Sequence, residues 1–576
     1  MARARRTIQD SEILLTINPF DGSRRNFLKK SCRLSNARTD PNPLRRGGRF
    51  AGRGVAFGLC YAACGMNHIS ISKLLVANRG EIALRIIRSA RQLGIATVAV
   101  YSEADAAAAH VAAADQARLI GPPEATASYL NITAIIEAAR VTGADAIHPG
   151  YGFLSERPEF ARAVAEAGMV FVGPSADVMA ALGDKVAARR LAADAGVPVV
   201  PGLETIDDRA AAQFAARVGF PLMVKAAAGG GGRGMRMVEA QATLAEALAA
   251  ASREAQAAFG DGRVFLEKYL AHPRHIEVQI LADQHGGVVV LGERDCSIQR
   301  RHQKIIEESP APGLDDSLRS RMFEAALKVA RVAGYRNAGT MEFLVDSGEF
   351  YFLEANTRLQ VEHPVTEMRF GCDLVAEQLR LAMGERVSEP GVARGASIEC
   401  RIYAEDAEHN FRPATGEALY LNLPGGPGVR LDTHLITGAR VTAFYDGLLG
   451  KLICWGADRE QARNRMAAAL GEFSLLGVTN TAAFLRDVIA SEAFRDARLS
   501  TRFLGEFFPR WTPGEAELES LLVAAAMAAG GALGSAVTGP SSSRGAMSDG
   551  ARSRGGERSP WAELAGFEPW GARGGR

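Results

Sequence analysis

Glu354-Ala355-Asn356-Thr357-Arg358-Leu359-Gln360-Val361-Glu362 is the stretch on which the reading of this chain turns. It follows two runs of strand-like composition, Met341 to Val345 and Glu349 to Leu353, separated by Asp346-Ser347-Gly348, which together predict a β-hairpin. Side chains alternate faces along a strand, so continued extension places Glu354, Asn356, Arg358, Gln360 and Glu362 on one polar face. An odd-residue turn adds Glu342 to that face, close to Glu354 across the hairpin. Two carboxylates and an amide oxygen are hard donors, and neighbouring carboxylates repel unless a cation or a shared proton intervenes. The pattern therefore predicts a metal–nucleotide site; the competing reading is a solvated sheet edge. Phe350, Tyr351, Phe352 and Leu353 favour a buried strand, where idle charges are rare.

Composition bounds the rest. The chain has 576 residues, 47% of them hydrophobic, which predicts more than one packed domain. Its formal net charge of +2 argues against a nucleic-acid binder, and no apolar run is long enough to predict a membrane span. Seven cysteines without a CxxC pair point to a reducing, cytoplasmic setting. The first 65 or so residues carry Arg3-Ala4-Arg5-Arg6, Arg24-Arg25 and Arg45-Arg46 with few acids, and read as unstructured. They are either an organellar leader or sequence ahead of a true start at Met66, and the second reading is preferred.

From Ile71 the pattern is regular. Lys73 to Ala77 reads as a strand, Asn78-Arg79-Gly80-Glu81 as a turn, Ile82 to Leu93 as a helix and Ala96 to Tyr101 as a strand, giving a βαβ unit. Its turn has one glycine where a dinucleotide fingerprint needs three, so it counts as architecture. The glycine-rich loop around Tyr151 leaves a strand at a place where α/β proteins put ligands. Further on, Lys225 sits in an apolar strand just before Gly229-Gly230-Gly231-Gly232-Arg233-Gly234, and Met235 to Val238 resumes as a strand. That order is not a P-loop; it predicts a hairpin flap whose backbone N–H groups approach phosphates, against the alternative of a plain linker. Val264 to Leu270 offers an apolar slot for a base, and His275 to Ile280 alternates as a half-buried strand. In Glu293 to Lys304, Arg300, Arg301, His302 and Lys304 point to a polyanion, the bland alternative being a solvated face.

Together, Gly183-Asp184-Lys185, Lys225 with the glycine run, Arg300-Arg301-His302-Gln303-Lys304 and Glu354 to Thr366 resemble the ATP-grasp family, and within it the biotin carboxylases, from about Ile71 to Trp511. Glu399 to Asp406 looks like the corresponding part of acyl-CoA carboxylase α subunits. The resemblance implies an α/β fold with an N-terminal βαβ (pre-ATP-grasp) domain at 70–183, an ATP-grasp domain with its glycine-rich flap at 184–390 and a C-terminal α+β domain at 391–511. Residues 1–69 are then a basic leader or mis-assigned start, and 512–576 a helix candidate and disordered tail.

It implies an ATP-dependent ligase that carboxylates biotin with bicarbonate through carboxyphosphate, the first half-reaction of an acyl-CoA carboxylase. ATP would be held by Lys185, Lys225, Gly231, Gly232, His275, Gln299 and His302, with Glu267, Lys268, Tyr269 and Leu270 at the adenine. Glu342, Glu354 and Asn356 would hold two Mg²⁺ or Mn²⁺ ions. Bicarbonate would lie against Lys304, Arg358, Gln360 and the Val361 backbone, with Glu362 as base; Arg401 and Arg358 would stabilise the biotin enolate beside Tyr151. The implied partners are a biotin carboxyl carrier, a carboxyltransferase that selects the acyl-CoA, and a second copy of the chain. No Met-Lys-Met occurs after Trp511, so biotin is expected on a separate carrier, the chain being either stand-alone or a truncated α subunit. The rival functions are another ATP-grasp carboxylate ligase and an inactive α subunit.

Overall fold

The computed structural model describes residues 69–204, 208–227 and 235–514, all within one unit, Asn67–Arg576. The basic leader, the glycine run with Gly231 and Gly232, and the helix candidate and tail expected beyond residue 514 lie outside the described residues.

Leu74, Leu75 and Val76 on β1 (Lys73–Val76) are wholly buried, as a strand covered on both faces requires. β1 lies at the centre of a parallel sheet in which β2 (Ala96–Ser102) and β3 (Gln116–Gly121) flank it on one side and β4 (Ala146–His148) and β5 (Val170–Phe171) on the other. The expected βαβ unit is present, with its helix at Gly80–Gln92. Gly80 starts that helix at φ +66°, a conformation that lets the chain turn sharply off β1 and places Glu81 in the first helical turn.

A small antiparallel sheet contains β6 (Gly202–Leu203), β7 (Leu222–Ala226), β8 (Arg236–Val238) and β9 (Val264–Lys268), in the order β6-β9-β7-β8. β7 and β8 pair with Val224 opposite Arg236, so the glycine run does connect two strands of one hairpin.

The third sheet is antiparallel and eight-stranded. Its order is β14 (Glu349–Asn356), β13 (Asn337–Asp346), β10 (Arg274–Ala282), β11 (Val288–Arg300), β12 (Gln303–Ser309), β15 (Ala396–Tyr403), then Leu448–Gly456 and Val429–Thr433. β12 pairs with β15, Glu307 opposite Glu399, so one sheet runs through both the 184–390 and the 391–511 segments. His275 to Ile280, expected to be half-buried, is covered on both faces: Glu277 and Gln279 are as buried as Ile276 and Val278. Glu293, Arg294 and Asp295 on β11 are likewise buried, which removes the solvated-face reading for that part of the charged run. No helix among the described residues is long and apolar enough to cross a membrane.

The β13–β14 hairpin differs from expectation in its turn. Ser347 and Gly348 form a two-residue connection with φ of 53° and 79°, the left-handed pair that suits the twist of a tight hairpin. Continued regular pairing from Phe343 opposite Phe352 would set Glu342 against Leu353. A bulge between Glu342 and Phe343 absorbs Leu353 and brings Glu342 opposite Glu354. The two acids therefore meet because of a bulge, not an odd-residue turn. The extended face also stops earlier than expected: β14 ends at Asn356, and Glu362 lies in a turn at the entrance to the helix His363–Phe370.

The apolar side of this hairpin packs against the helix Asp316–Val332 through a core that includes Met322, Ala326, Val329 and Phe343. The Phe343 ring is edge-on to Phe350 and Phe352, at centroid distances of 5.5 and 6.0 Å, and is fully buried. Phe343→Ala is expected to cost about 3–5 kcal/mol, seen as an earlier denaturant midpoint.

Candidate active site

The Lys304 ammonium is the hub of the polar side of the sheet. Its Nζ lies 2.6 Å from Glu277, 2.7 Å from Glu342 and 2.7 Å from Glu362. It is delivered there by a tight β11–β12 turn in which Arg301 and His302 both have positive φ. The same turn sends its neighbours elsewhere. Arg300 makes two 2.8 Å contacts with Glu405 and lies over the Phe411 ring, and Arg301 reaches Asn410. The four basic residues therefore do not converge on one anion, as the sequence reading had them do.

Burial opposes every charge here, and the balance is set by which groups find counter-charges. Desolvation would pull the Lys304 ammonium down, but Glu277, Glu342 and Glu362 hold it well above the usual lysine range. Burial would raise the Glu342 and Glu362 carboxyls. Instead Lys304 with His275 holds Glu342 well below the usual carboxylate range, and Lys304 with Arg401 and Arg294 lowers Glu362. Glu277 stays raised because burial outweighs Arg294, which is itself fully buried and held by Glu277, Gln279 and Thr366.

Glu342 is gripped from several directions. Asn356 Nδ2 donates to it at 2.7 Å and Gln360 Nε2 at 3.0 Å, and His275 Nε2 lies 2.7 Å away. Gln299 Nε2 is 2.8 Å from His275 Nδ1, which fixes the ring. Glu354, half-buried, is paired at 2.9 Å with Lys185, whose pKa it raises. Glu342 and Glu354 stand opposite each other across the β13–β14 ladder, but the Asn356 amide turns its nitrogen to Glu342 and its oxygen to Arg358, so the three expected oxygen donors do not converge as they stand. A second group, His275, Glu277 and Glu342, has its ligand atoms within 4.8 Å of one another, but Lys304 already supplies the positive charge there.

Lys225 pairs with Glu267 at 2.5 Å, as does Arg189. Glu267 is thus committed to a buried ion cluster, while the amides of Lys268 and Tyr269 donate to Pro201 and Pro221 carbonyls and Leu270 is half-buried at the strand's end. Desolvation and the positive charges of Lys225, Lys185 and His275 lower the His302 pKa.

Arg358 donates to Asn356 and Gln360, each at 3.1 Å, and lies 3.0 Å from Glu156. It lines two cavities. One, of about 390 Å³, is also bounded by Tyr151, Gln303, Val361, Arg401 and Tyr403; the other, of about 570 Å³, by Lys185, Glu354, Asn356 and Arg157. Arg401 reaches Glu362 at 3.0 Å from the first cavity. The Tyr151 hydroxyl bonds Glu81, and the Val361 carbonyl accepts from Lys451 Nζ at 3.0 Å.

Glu277, Arg294, Glu81, Lys451 and Glu307 were not singled out by the sequence. Glu277 alternates with apolar neighbours along its strand, which alternation alone reads as a wet face, whereas Arg294, Glu307 and Lys451 sit in strands without that alternation and Glu81 in the first turn of a helix.

An antiparallel sheet carrying buried acids and a lysine, with the smaller sheet of the β7–β8 hairpin, is the architecture of an ATP-grasp enzyme. Three family models match end to end: "Biotin carboxylase, N-terminal domain" over residues 70–179, "Carbamoyl-phosphate synthase L chain, ATP binding domain" over 184–390 and "Biotin carboxylase C-terminal domain" over 399–506. A biotin carboxylase from Nostoc sp. is 50% identical over 444 residues, covering 76% of this chain and 99% of that one. The mitochondrial methylcrotonoyl-CoA carboxylase subunit alpha of Oryza sativa subsp. japonica is 48% identical over 76% of this chain, which spans 60% of it. Among solved structures, a biotin carboxylase–βγ-ATP complex from Campylobacter jejuni superposes with a TM-score of 0.74 at 45% identity, covering 76% of this chain and 99% of that one. The biotin carboxylase domain dimer of Hydrogenobacter thermophilus 2-oxoglutarate carboxylase, in complex with MgADP, ADP and bicarbonate, gives 0.73 at 45%, covering 76% and 98%. The chain belongs to the biotin carboxylase family of ATP-dependent ligases.

Lys304→Met removes the common counter-charge of three buried carboxylates and is expected to cost about 3–5 kcal/mol at neutral pH. The stabilisation that Glu342 and Glu362 gain from Lys304 is present above the ordinary carboxylate range, near pH 4.3, and is lost as pH falls through their lowered folded values. In the variant these acids take up protons more readily on folding. The difference in denaturant midpoint between wild type and variant should therefore narrow as pH is lowered from 7 towards 4.

Proposed function

We propose that this chain carboxylates biotin on a separate carrier, with ATP and bicarbonate as co-substrates, using the side chains gathered around Lys304. The observation that carries the reading is the run of ion pairs from Lys304 through Glu362 to Arg401, with Arg401 and Arg358 on the cavity of Tyr151 and Arg358 also on the cavity of Lys185, Glu354 and Asn356.

In this reading ATP phosphates occupy the side of Lys185, Lys225, His275, Gln299 and His302, with Gly231 and Gly232 as further phosphate-binding residues. Glu267 to Leu270 border the base. Glu342, Glu354 and Asn356 would hold Mg²⁺ or Mn²⁺, which when bound offsets phosphate charge. Bicarbonate sits against Lys304, Arg358, Gln360 and the Val361 backbone. Glu362 takes its proton, a bicarbonate oxygen bonds to the γ-phosphorus and the bond to ADP breaks, giving carboxyphosphate. Glu362 is a weak base while Lys304 and Arg401 both neutralise it, so an arriving anion that draws those cations to itself also restores its basicity.

Carboxyphosphate divides into CO₂ and phosphate. The phosphate removes the ureido proton of biotin in the cavity beside Tyr151, Arg401 and Arg358 balance the enolate, and its nitrogen attacks CO₂. The same reading places a biotin carrier and a carboxyltransferase as partners, with a second copy of this chain; relatives bearing the names of carboxylase subunits, and a dimer among the solved structures, support it.

The test is ADP release with Mg²⁺, ATP and bicarbonate, with and without free biotin. Biotin should stimulate release. Glu362→Gln should lower the stimulated rate by about 10²–10⁴, and Arg401→Ala should abolish the stimulation. A folded, ATP-binding protein that biotin does not stimulate would overturn the proposal.

A further inference from the structure

Behind Arg401 lies a pair of acids to which the reaction above gives no task. Glu307 on β12 and Glu399 on β15 stand opposite each other across the ladder, and both are completely buried. Glu307 Oε1 lies 2.6 Å from Arg401 Nη2, the same nitrogen that reaches Glu362 at 3.0 Å. Apart from that ion pair, none of the four Glu307 and Glu399 oxygens finds a hydrogen-bond donor among the described residues.

The groups around them are few. On the next strand Lys451 stands opposite Arg401, but its ammonium is occupied by the Val361 carbonyl at 3.0 Å and Glu81 at 3.3 Å. Lys304 and Glu362 also act on the pair, and the buried Tyr403 meets Arg401 from the same strand. The helix His363–Phe370 packs against β12 and β15, and the His363 ring at its start is held neutral by burial and by Lys451, Arg85 and Arg430. Among the described residues Glu399 makes no ion pair, and Lys451 and Arg401 act on it only from beyond contact distance, too weakly to offset its burial. Two adjacent carboxylates in a dry interior, with one arginine between them and Glu362, are relieved by a proton.

We propose that Glu307 and Glu399 hold one proton between them, resident mainly on Glu399, and act as positioning residues for Arg401. Ionised Glu307 anchors the guanidinium at the wall of the biotin cavity, and neutral Glu399 keeps a second charge from drawing it away from Glu362. Burial raises both acids, Glu307 to about 7 and Glu399 well above the usual range, in the direction this requires. Raising the pH strips the proton, and the second carboxylate then competes with Glu362 for Arg401. This inference rests on the biotin-carboxylation reading for its kinetic consequences, but not for the shared proton itself.

The experiment joins infrared spectroscopy and kinetics on the full chain. The wild-type minus Glu399→Gln difference spectrum at neutral pH should contain the C=O stretch of a protonated carboxyl. Glu399→Gln mimics the neutral acid, so it should keep biotin-stimulated ADP release at neutral pH and lose the alkaline decline of the wild type. Glu307→Gln should raise the KM for biotin about tenfold and leave the KM for ATP unchanged. Absence of the carboxyl band, an unaltered pH profile in Glu399→Gln or an unaltered biotin KM in folded Glu307→Gln would each overturn the proposal. Should Glu307→Gln fail to fold, the band and profile of Glu399→Gln decide it. A wild type that biotin does not stimulate refutes the functional reading, whereas the infrared band still decides the pair.

Discussion

One ammonium shared by three buried carboxylates is the constraint from which the rest of the site follows. Glu277, Glu342 and Glu362 come from three different elements and would repel strongly in a low-dielectric interior. Lys304 lies between them and keeps Glu342 and Glu362 ionised, while Arg294, His275 and Arg401 take up the remaining charge. Such a cluster is poor at stabilising a fold, because desolvation consumes most of the attraction. Its value is chemical: cations and bases sit ready to exchange partners when an anionic substrate enters, with little reorganisation of the backbone that carries them.

The stability that tolerates this cluster comes from the opposite face of the same sheet. Met341, Phe343 and Phe352 pack against the helix Asp316–Val332, and that face fixes the register of β13 and β14. Register and chemistry are coupled through the bulge beside Glu342. Without it the tight Ser347-Gly348 turn would pair Glu342 with Leu353, and the two candidate metal carboxylates would no longer face each other.

A second set of ties joins the parallel sheet to the active site. Lys451, fully buried, links the Val361 carbonyl to Glu81 in the first turn of the Gly80–Gln92 helix, and Glu81 in turn receives the Tyr151 hydroxyl. Burial raises Glu81 to about 7 against the pull of Lys451. The strand bearing Lys451 fits closely, since a Cβ on Gly450 would come within 2.9 Å of Thr433 and 3.1 Å of the Asp432 carbonyl. The cavity beside Arg401 is therefore walled by elements from both the first and the last thirds of the described chain.

The sequence by itself determined the βαβ start, the hairpin around Lys225 and the hairpin carrying Glu342 and Glu354, because periodicity and turn residues act over short spans. It also marked Lys304, Arg358, Glu362 and Arg401, whose motifs are local. Only the tertiary structure decided which charges are buried. Glu277 and Glu399 alternate with apolar neighbours as a solvent-facing edge would, Arg294, Glu307 and Lys451 carry no such pattern, and all five are interior only because a helix and neighbouring strands close over them. It likewise decided that Arg300 and Arg301 leave the site while Lys304 stays, since two residues with positive φ reverse the chain between them. Alternation assigns a residue to a face; what covers that face depends on strands and helices far along the chain, and no local pattern encodes it.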